Sequence, residues 1–237
     1  ASLSDPNDPF SFKILTARSV LQNDPARVFE STFDSASRSF VSTSPMGRKT
    51  SLTLNEFGLF SSTSLGGLNA TQFFYDARGR LLAAQQSNRK TALTYDSHGN
   101  MATYANPFGK ITTFKYDEAN RLIQRIRPDG KSILFTYDAN GNLTSVTTSE
   151  KNTHLLTYNI MELAESYLPP AINAKLFGST HYNYNLDQQL TQVTRSDGTR
   201  IDFNYDATTG LLQSILSGDG SSNFIYYPKS DLVKTLT

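Results

Sequence analysis

Between residues 92 and 154, apolar and polar positions recur with a period of 21 residues. The three blocks read ALTYDSHGNMATYANPFGKIT, TFKYDEANRLIQRIRPDGKSI and LFTYDANGNLTSVTTSEKNTH. Each opens on an apolar-aromatic run ending in Tyr-Asp, turns through Gly or Asn, and continues in a second β-prone run. Within a run the pattern alternates: Ile133, Phe135 and Tyr137 share one face, Leu134 and Thr136 the other, and Ile201, Phe203 and Tyr205 keep the same parity. Asp138-Ala139-Asn140-Gly141 and Pro128-Asp129-Gly130 supply the residues that tight or left-handed turns accept. The pattern predicts antiparallel hairpins with turns near 118–120, 128–130, 139–141 and 197–198.

The phase is set by Tyr75, Tyr95, Tyr116, Tyr137, Tyr158, Tyr184, Tyr205 and Tyr226, in steps of 20, 21, 21, 21, 26, 21 and 21. Two residues earlier stand Phe73, Leu93, Phe114, Phe135, Leu156, Tyr182, Phe203 and Phe224, and the row from Phe73 to Phe203 is expected to lie deeper than its immediate neighbours. Six residues later come Leu81, Met101, Leu122, Leu143, Ala164, Leu190, Leu211 and Leu232. Stepping back by 21 reaches Leu54, then Phe33, then Phe12, so about nine or ten repeats cover nearly the whole chain. The expected layout is one continuous repeat domain, with an irregular lead-in over 1–11, degenerate repeats over 12–70 and well-formed repeats over 71–237. Ser61 to Gly67 reads as a loop. The long step is a loop inserted near 160–180. There Pro169-Pro170 cannot continue a central strand, and Ile160 to Ser166 has the composition of a helical turn. A surface excursion between hairpins explains this loop; a ligand or partner loop is the alternative.

These units resemble the RHS/YD-repeat family, whose core is Tyr-Asp-x-x-Gly-Arg-Leu. The best matches are Tyr75-Asp76-Ala77-Arg78-Gly79-Arg80-Leu81 and Tyr137-Asp138-Ala139-Asn140-Gly141-Asn142-Leu143. Tyr116-Asp117-Glu118-Ala119-Asn120-Arg121-Leu122 replaces Gly by Asn, which also tolerates positive φ. Tyr158-Asn159, Tyr184-Asn185 and Tyr226-Tyr227 depart from the pattern and are expected to weaken their turns. The structural repeat residues are therefore Phe73, Tyr75, Asp76, Leu93, Tyr95, Asp96, Phe114, Tyr116, Asp117, Phe135, Tyr137, Asp138, Phe203, Tyr205 and Asp206.

About twenty strands are too many for a flat sheet, because twisted open sheets curl or split beyond roughly ten strands. The predicted fold class is all-β, a repeat array of antiparallel hairpins curling into a barrel-like or spiral shell segment. The hollow interior is implied by the resemblance alone, since YD repeats wind into shells in toxin-complex cocoons, bacterial RHS effectors and animal teneurins.

Lys plus Arg (22) and Asp plus Glu (21) nearly balance, leaving no basic stripe for a nucleic-acid backbone. With no cysteine, disulfide scaffolds, thiolate metal sites and cysteine nucleophiles are excluded. No apolar run reaches the length of a membrane helix, and Ala1 to Pro6 is not a signal peptide. Because Thr235-Leu236-Thr237 stops mid-repeat, the chain is expected to be a segment of something longer.

Candidate chemistry is sparse. Asp76, Asp96, Asp117, Asp138 and Asp206 sit at turn entrances, where a carboxylate bonds nearby amides, and Arg80 and Arg121 are placed to pair with them. His98, His154 and His181 have no metal-ligand spacing, and neither a nucleophile elbow nor a phosphate-cradling loop occurs. No catalytic residue, metal or cofactor is expected, and the predicted chain is not an enzyme. Family members carry an Asp-Pro-x-Gly-Leu self-cleaving element, and that motif is absent here. Asn69-Ala70-Thr71 and Asn142-Leu143-Thr144 match the glycosylation acceptor pattern, as a Ser/Thr/Asn-rich chain does by chance.

Two function classes follow. One is a shell or scaffold segment that encloses another polypeptide such as a toxin or effector, its partner being that cargo or the rest of its own longer chain. The other is an extracellular adhesion or glycan-binding surface with a glycan or cell-surface ligand, as the teneurin resemblance implies. Low charge and the absence of Trp favour cargo. Neither class involves nucleic acid or membrane insertion by this segment, and the resemblance implies a secreted or cell-surface parent.

Overall fold

In the computed structural model, the described residues are 2–3, 12–20, 27–171 and 178–237. They form 22 strands and no helix. The chain divides into two compact units, Ala1–Phe114 and Lys115–Thr237.

The first unit holds β1 (Ser2–Leu3), β2 (Phe12–Val20), β3 (Val28–Asp34), β4 (Ser39–Thr43), β5 (Lys49–Leu54), β6 (Phe60–Leu65), β7 (Thr71–Tyr75), β8 (Leu81–Gln86), β9 (Arg89–Tyr95) and β10 (Met101–Ala105). β11 (Ile111–Tyr116) crosses the boundary. The second holds β12 (Leu122–Ile126), β13 (Ser132–Tyr137), β14 (Leu143–Thr147), β15 (Thr153–Tyr158), β16 (Ala164–Leu168), β17 (Thr180–Tyr184), β18 (Leu190–Thr194), β19 (Arg200–Tyr205), β20 (Leu212–Ser217), β21 (Gly220–Tyr226) and β22 (Val233–Leu236). Within each unit every strand pairs antiparallel with the next, as in β7–β8 and β13–β14. The array of antiparallel hairpins stands as the sequence predicts, with turns at 117–121, 127–131, 138–142 and 195–199.

Alternation sets the two faces. Phe73, Leu93, Phe114, Phe135, Leu156, Tyr182 and Phe203 are all half-buried, whereas Thr94, Lys115, Thr136 and Asn204 are exposed. Depth is limited. Among the described residues only Ala83 and Ser145 are buried, and no large side chain is fully enclosed. Each face is shielded only by its lateral neighbours, so packing is the cross-strand kind.

The opposite face is lined with small polar groups that satisfy one another. Thr157 Oγ1 lies 2.8 Å from Ser166 Oγ, Thr94 Oγ1 2.6 Å from Thr103 Oγ1, and Ser51 Oγ 2.7 Å from Ser64 Oγ. That last pair explains a correction. Ser61 to Gly67 is not a loop, because Ser61–Leu65 belongs to β6 and the turn begins only at Gly66. Serine lowers strand propensity in isolation, but here hydroxyls meet across strands.

A β-bulge follows the repeat. Tyr137 faces Leu143 while Thr136 faces Ser145, leaving Thr144 extra; Leu82 and Thr191 occupy the same place in β8 and β18. Each extra residue bends its strand and increases the twist. The 54-phase repeat has the same shift, between Thr53 and Leu54, so it is structurally regular. The 33-phase hairpin lacks it: Phe33 faces Phe40 in unbroken register, with ring centroids 4.5 Å apart.

Near the long step, Asn159 to Leu163 is a tight hairpin turn and Ala164–Leu168 is strand β16; no helical turn forms. Pairing with Tyr158, Thr157 and Leu156 overrides the helical composition. The remainder of the expected loop, 172–177, and nearly all of the lead-in lie outside the described residues.

Candidate functional site

The Tyr-Asp turn is the recurrent polar site. In the turn after β13, the Asp138 amide donates to the Asn142 carbonyl at 3.0 Å and the Gly141 amide to the Asp138 carbonyl at 3.2 Å. The carboxylate closes the loop: Oδ1 accepts from the amides of Asn140 and Asn142. Asp76 and Asp117 do the same with residues two and four further on. Their other oxygen accepts from Nε of Arg80 and Arg121, each at 2.7 Å. The Asp206 turn is one residue longer, and Oδ1 accepts from Thr208 and Thr209 instead.

These bonds favour the charged carboxylate. The Arg80 amide holds Asp76 below the usual carboxylate range, the Arg121 amide does so for Asp117, and the Thr209 amide for Asp206. For Asp96 and Asp138 desolvation is the largest influence and acts upward, but the turn amides and the Asn100 and Asn142 side chains together outweigh it. No two of these carboxylates share a turn, so they do not converge on one reacting centre.

The Asn departures preserve the turn. Asn159 Oδ1 accepts from the amides of Met161 and Leu163, and Asn185 Oδ1 from that of Gln189. An amide oxygen occupies the place of the carboxylate oxygen, so the expected weakening does not come from a missing acceptor.

The tyrosine joins successive repeats. Its hydroxyl donates to a carbonyl near the start of the preceding repeat's second strand: Tyr95 to Leu81, Tyr137 to Leu122, Tyr158 to Leu143, Tyr184 to Ala164, Tyr205 to Leu190 and Tyr226 to Leu212, all at 2.8–3.0 Å. Tyr75 reaches Phe60 in the same manner. Arginine adds a second link where present. The Arg80 guanidinium lies 4.3 Å above the Tyr95 ring centroid and that of Arg121 4.8 Å above Tyr137, while Arg121 Nη1 donates to the Asp138 carbonyl. Sequence reasoning placed these tyrosines as phase markers and missed the latch. Its signal was positional: the accepting residue follows the preceding phase-setting tyrosine by six residues, and by seven where the Asp206 turn is longer.

Among the histidines, His154 Nδ1 lies 2.7 Å from the Tyr167 hydroxyl, and His98 and His181 are exposed. Among the described residues no cluster of His, Asp or Glu is arranged to hold a metal ion. The two sequons differ in exposure: Asn69 is exposed and Asn142 half-buried, while both side-chain amides are engaged, Asn69 to Ser87 Oγ at 2.6 Å and Asn142 to Asp138 Oδ2 at 3.1 Å.

Tyr-Asp hairpins latched one to the next define a β-hairpin shell-type scaffold. The family model for the Teneurin YD-shell matches residues 10–237, and the chain belongs to that family. The structure of the Photorhabdus luminescens Tc holotoxin pore contains a chain similar over 92% of this one, at 13% identity with a TM-score of 0.53. A crystal structure of TcdB2-TccC3 without its hypervariable C-terminal region aligns over 85% of this chain at 11% identity, TM-score 0.37. This chain spans 16% of each of those chains. At these identities the likeness is one of fold. No curated protein sequence matches.

Proposed function

We propose that this chain is a non-catalytic stretch of YD-shell wall that encloses or holds another polypeptide, within a secreted or cell-surface parent. Membership of the YD-shell family supports the scaffold role. One observation carries the rest: in each unit the aromatic face is only half-buried, and no large side chain among the described residues is fully enclosed. Single-layer sheets need a covering for such a face, and polypeptide matches its mixture of Phe, Leu and Tyr rows separated by hydrogen-bonding groups. The carboxylates of Asp76, Asp117 and Asp138, meanwhile, are spent inside their own turns, which suits a wall better than a reaction centre.

The test places a photo-cross-linking residue at Leu156 or Phe203 on the aromatic face, and at Thr157 or Asn204 on the other. The expected result is cross-linking to polypeptide from the first pair only. Equal yields from both faces, or retention of a glycan with no polypeptide product, would overturn the proposal.

A further inference from the structure

Two neighbouring turns break the local rules in the same way. At the first position after the turn-opening Asp or Asn, the chain elsewhere carries Glu56, Ala77, Ser97, Glu118, Ala139 and Ala207. In the turns after β15 and β17 that position is Ile160 and Leu186, 102% and 96% exposed. Met161 beside Ile160 is partly exposed too. Both turns also put a side chain where most others have glycine: Glu162 has φ 61° and Gln188 φ 62°. Left-handed conformation is unfavourable for an ordinary L-residue, so both turns are strained where the glycine turns are not.

Topology brings the tips together. β16 pairs with β17, so the two hairpins are neighbours in one meander and both turns project from the same rim. At the ordinary strand spacing the tips stand about 10 Å apart. The Tyr184 hydroxyl, adjacent to Asn185, bonds the Ala164 carbonyl, adjacent to Leu163, which fixes one turn against the other.

The charge around this ridge has one sign. Glu162, Glu165 and Asp187 are exposed, and the four consecutive turns opening at Asp138, Asn159, Asn185 and Asp206 contain no Lys or Arg. Among the described residues, the cations of the turns flanking these four are Arg121, committed to Asp117 and to the Tyr137 ring, and Lys229, which lies beyond the Asp206 turn.

We propose that Ile160, Met161 and Leu186 form a docking ridge for a cationic amphipathic polypeptide segment. Its apolar side covers the ridge and its Lys or Arg side chains meet Glu162, Glu165 and Asp187. An apolar strip with an acidic border selects that chemistry: apolar contact supplies affinity and the border excludes acidic segments. The site lies on a rim, independent of what the aromatic face holds.

The test uses two synthetic peptides with the same amphipathic pattern, one of Leu and Lys and one of Leu and Glu, followed by fluorescence anisotropy. The Leu/Lys peptide is expected to bind, and the double variant Ile160→Ser/Leu186→Ser to weaken it at least tenfold. Glu162→Gln/Asp187→Asn should weaken it several-fold and flatten its salt dependence. Both doubles alter exposed tips, and an unchanged melting profile shows that the fold is kept. Phe108→Ser, an exposed apolar tip elsewhere, should leave binding unchanged. Equal binding of the Leu/Glu peptide, no loss in the Ile160/Leu186 double, or an equal loss in Phe108→Ser would each overturn the proposal.

Discussion

The Tyr137 hydroxyl donates to the Leu122 carbonyl at 2.9 Å, so the residue that opens one Tyr-Asp turn is bonded to the strand that leaves the previous one. Backbone ladders hold strand to strand, whereas this bond links a turn to the turn before it. Repeat proteins owe much of their stability to such nearest-neighbour terms.

Removing one latch should therefore have a local and measurable effect. Tyr137→Phe keeps the ring beneath Arg121 and deletes only the bond to Leu122. A loss of about 0.5–1.5 kcal/mol is expected. It should appear in denaturant unfolding and as faster amide exchange around residues 122 and 138. Tyr182→Phe, on the same face but outside the latch set, is the control; an equal loss there would show that the latch bond has no special weight.

The left-handed turn position gives opposite signs at different repeats. Glu162→Gly and Gln188→Gly should each stabilise by about 1 kcal/mol, since the present residues already sit at positive φ. Gly141→Ala should destabilise by a similar amount, because φ is 95° there although space for a Cβ exists. Thermal melts of the three variants check this, and a uniform sign would contradict it.

Acid should loosen the array turn by turn. Asp76, Asp96, Asp117, Asp138 and Asp206 all have folded values below the ordinary 3.8. A depressed carboxylate contributes stability that is complete above its unfolded value and is lost as pH falls through the folded one. Stability should be level from neutral pH down to about 5 and then decline below about 4. Asp138→Asn is expected to fold, as Asn159 and Asn185 do at equivalent places, and to lose its share of that decline. Unfolding curves between pH 2.5 and 7 decide the matter.

Phe135→Ala should cost less than the ~3–5 kcal/mol of a fully buried phenylalanine, because Phe135 is only half-buried. About 1–3 kcal/mol is expected from the area removed. A larger loss in the isolated chain would mean that something covers this face.

Much of this fold was legible because a period of 21 with parity 2 leaves few alternatives. The half-buried row from Phe73 to Phe203 and the turns at Asn120 and Gly141 follow from spacing alone. The strand through Ser61 to Leu65 was hidden because its hydroxyls find partners only across the sheet. Ile160 to Ser166 misled because helical composition is a weak prior against a ladder already fixed by Tyr158. The Tyr hydroxyl latch left only a positional trace, because its acceptor is a main-chain carbonyl, which leaves no mark on residue identity. The exposure of Ile160 and Leu186 was silent, since an apolar residue in a turn looks the same in sequence whether covered or bare.

The end of β16 at Leu168 and the start of β17 at Thr180 lie on the rim opposite the Tyr-Asp turns, and the latches on either side, Tyr158 to Leu143 and Tyr184 to Ala164, both form. One margin thus carries the same stitch at repeat after repeat, like a selvedge, whereas the other is joined by different pairs at different places, such as Lys131 with Glu150 and Asn69 with Ser87. A passenger sequence spliced between Pro170 and Ala171 would leave from the margin opposite the latches without changing which way any later side chain points. The same splice at a Tyr-Asp turn would cut the thread that keeps successive hairpins in step.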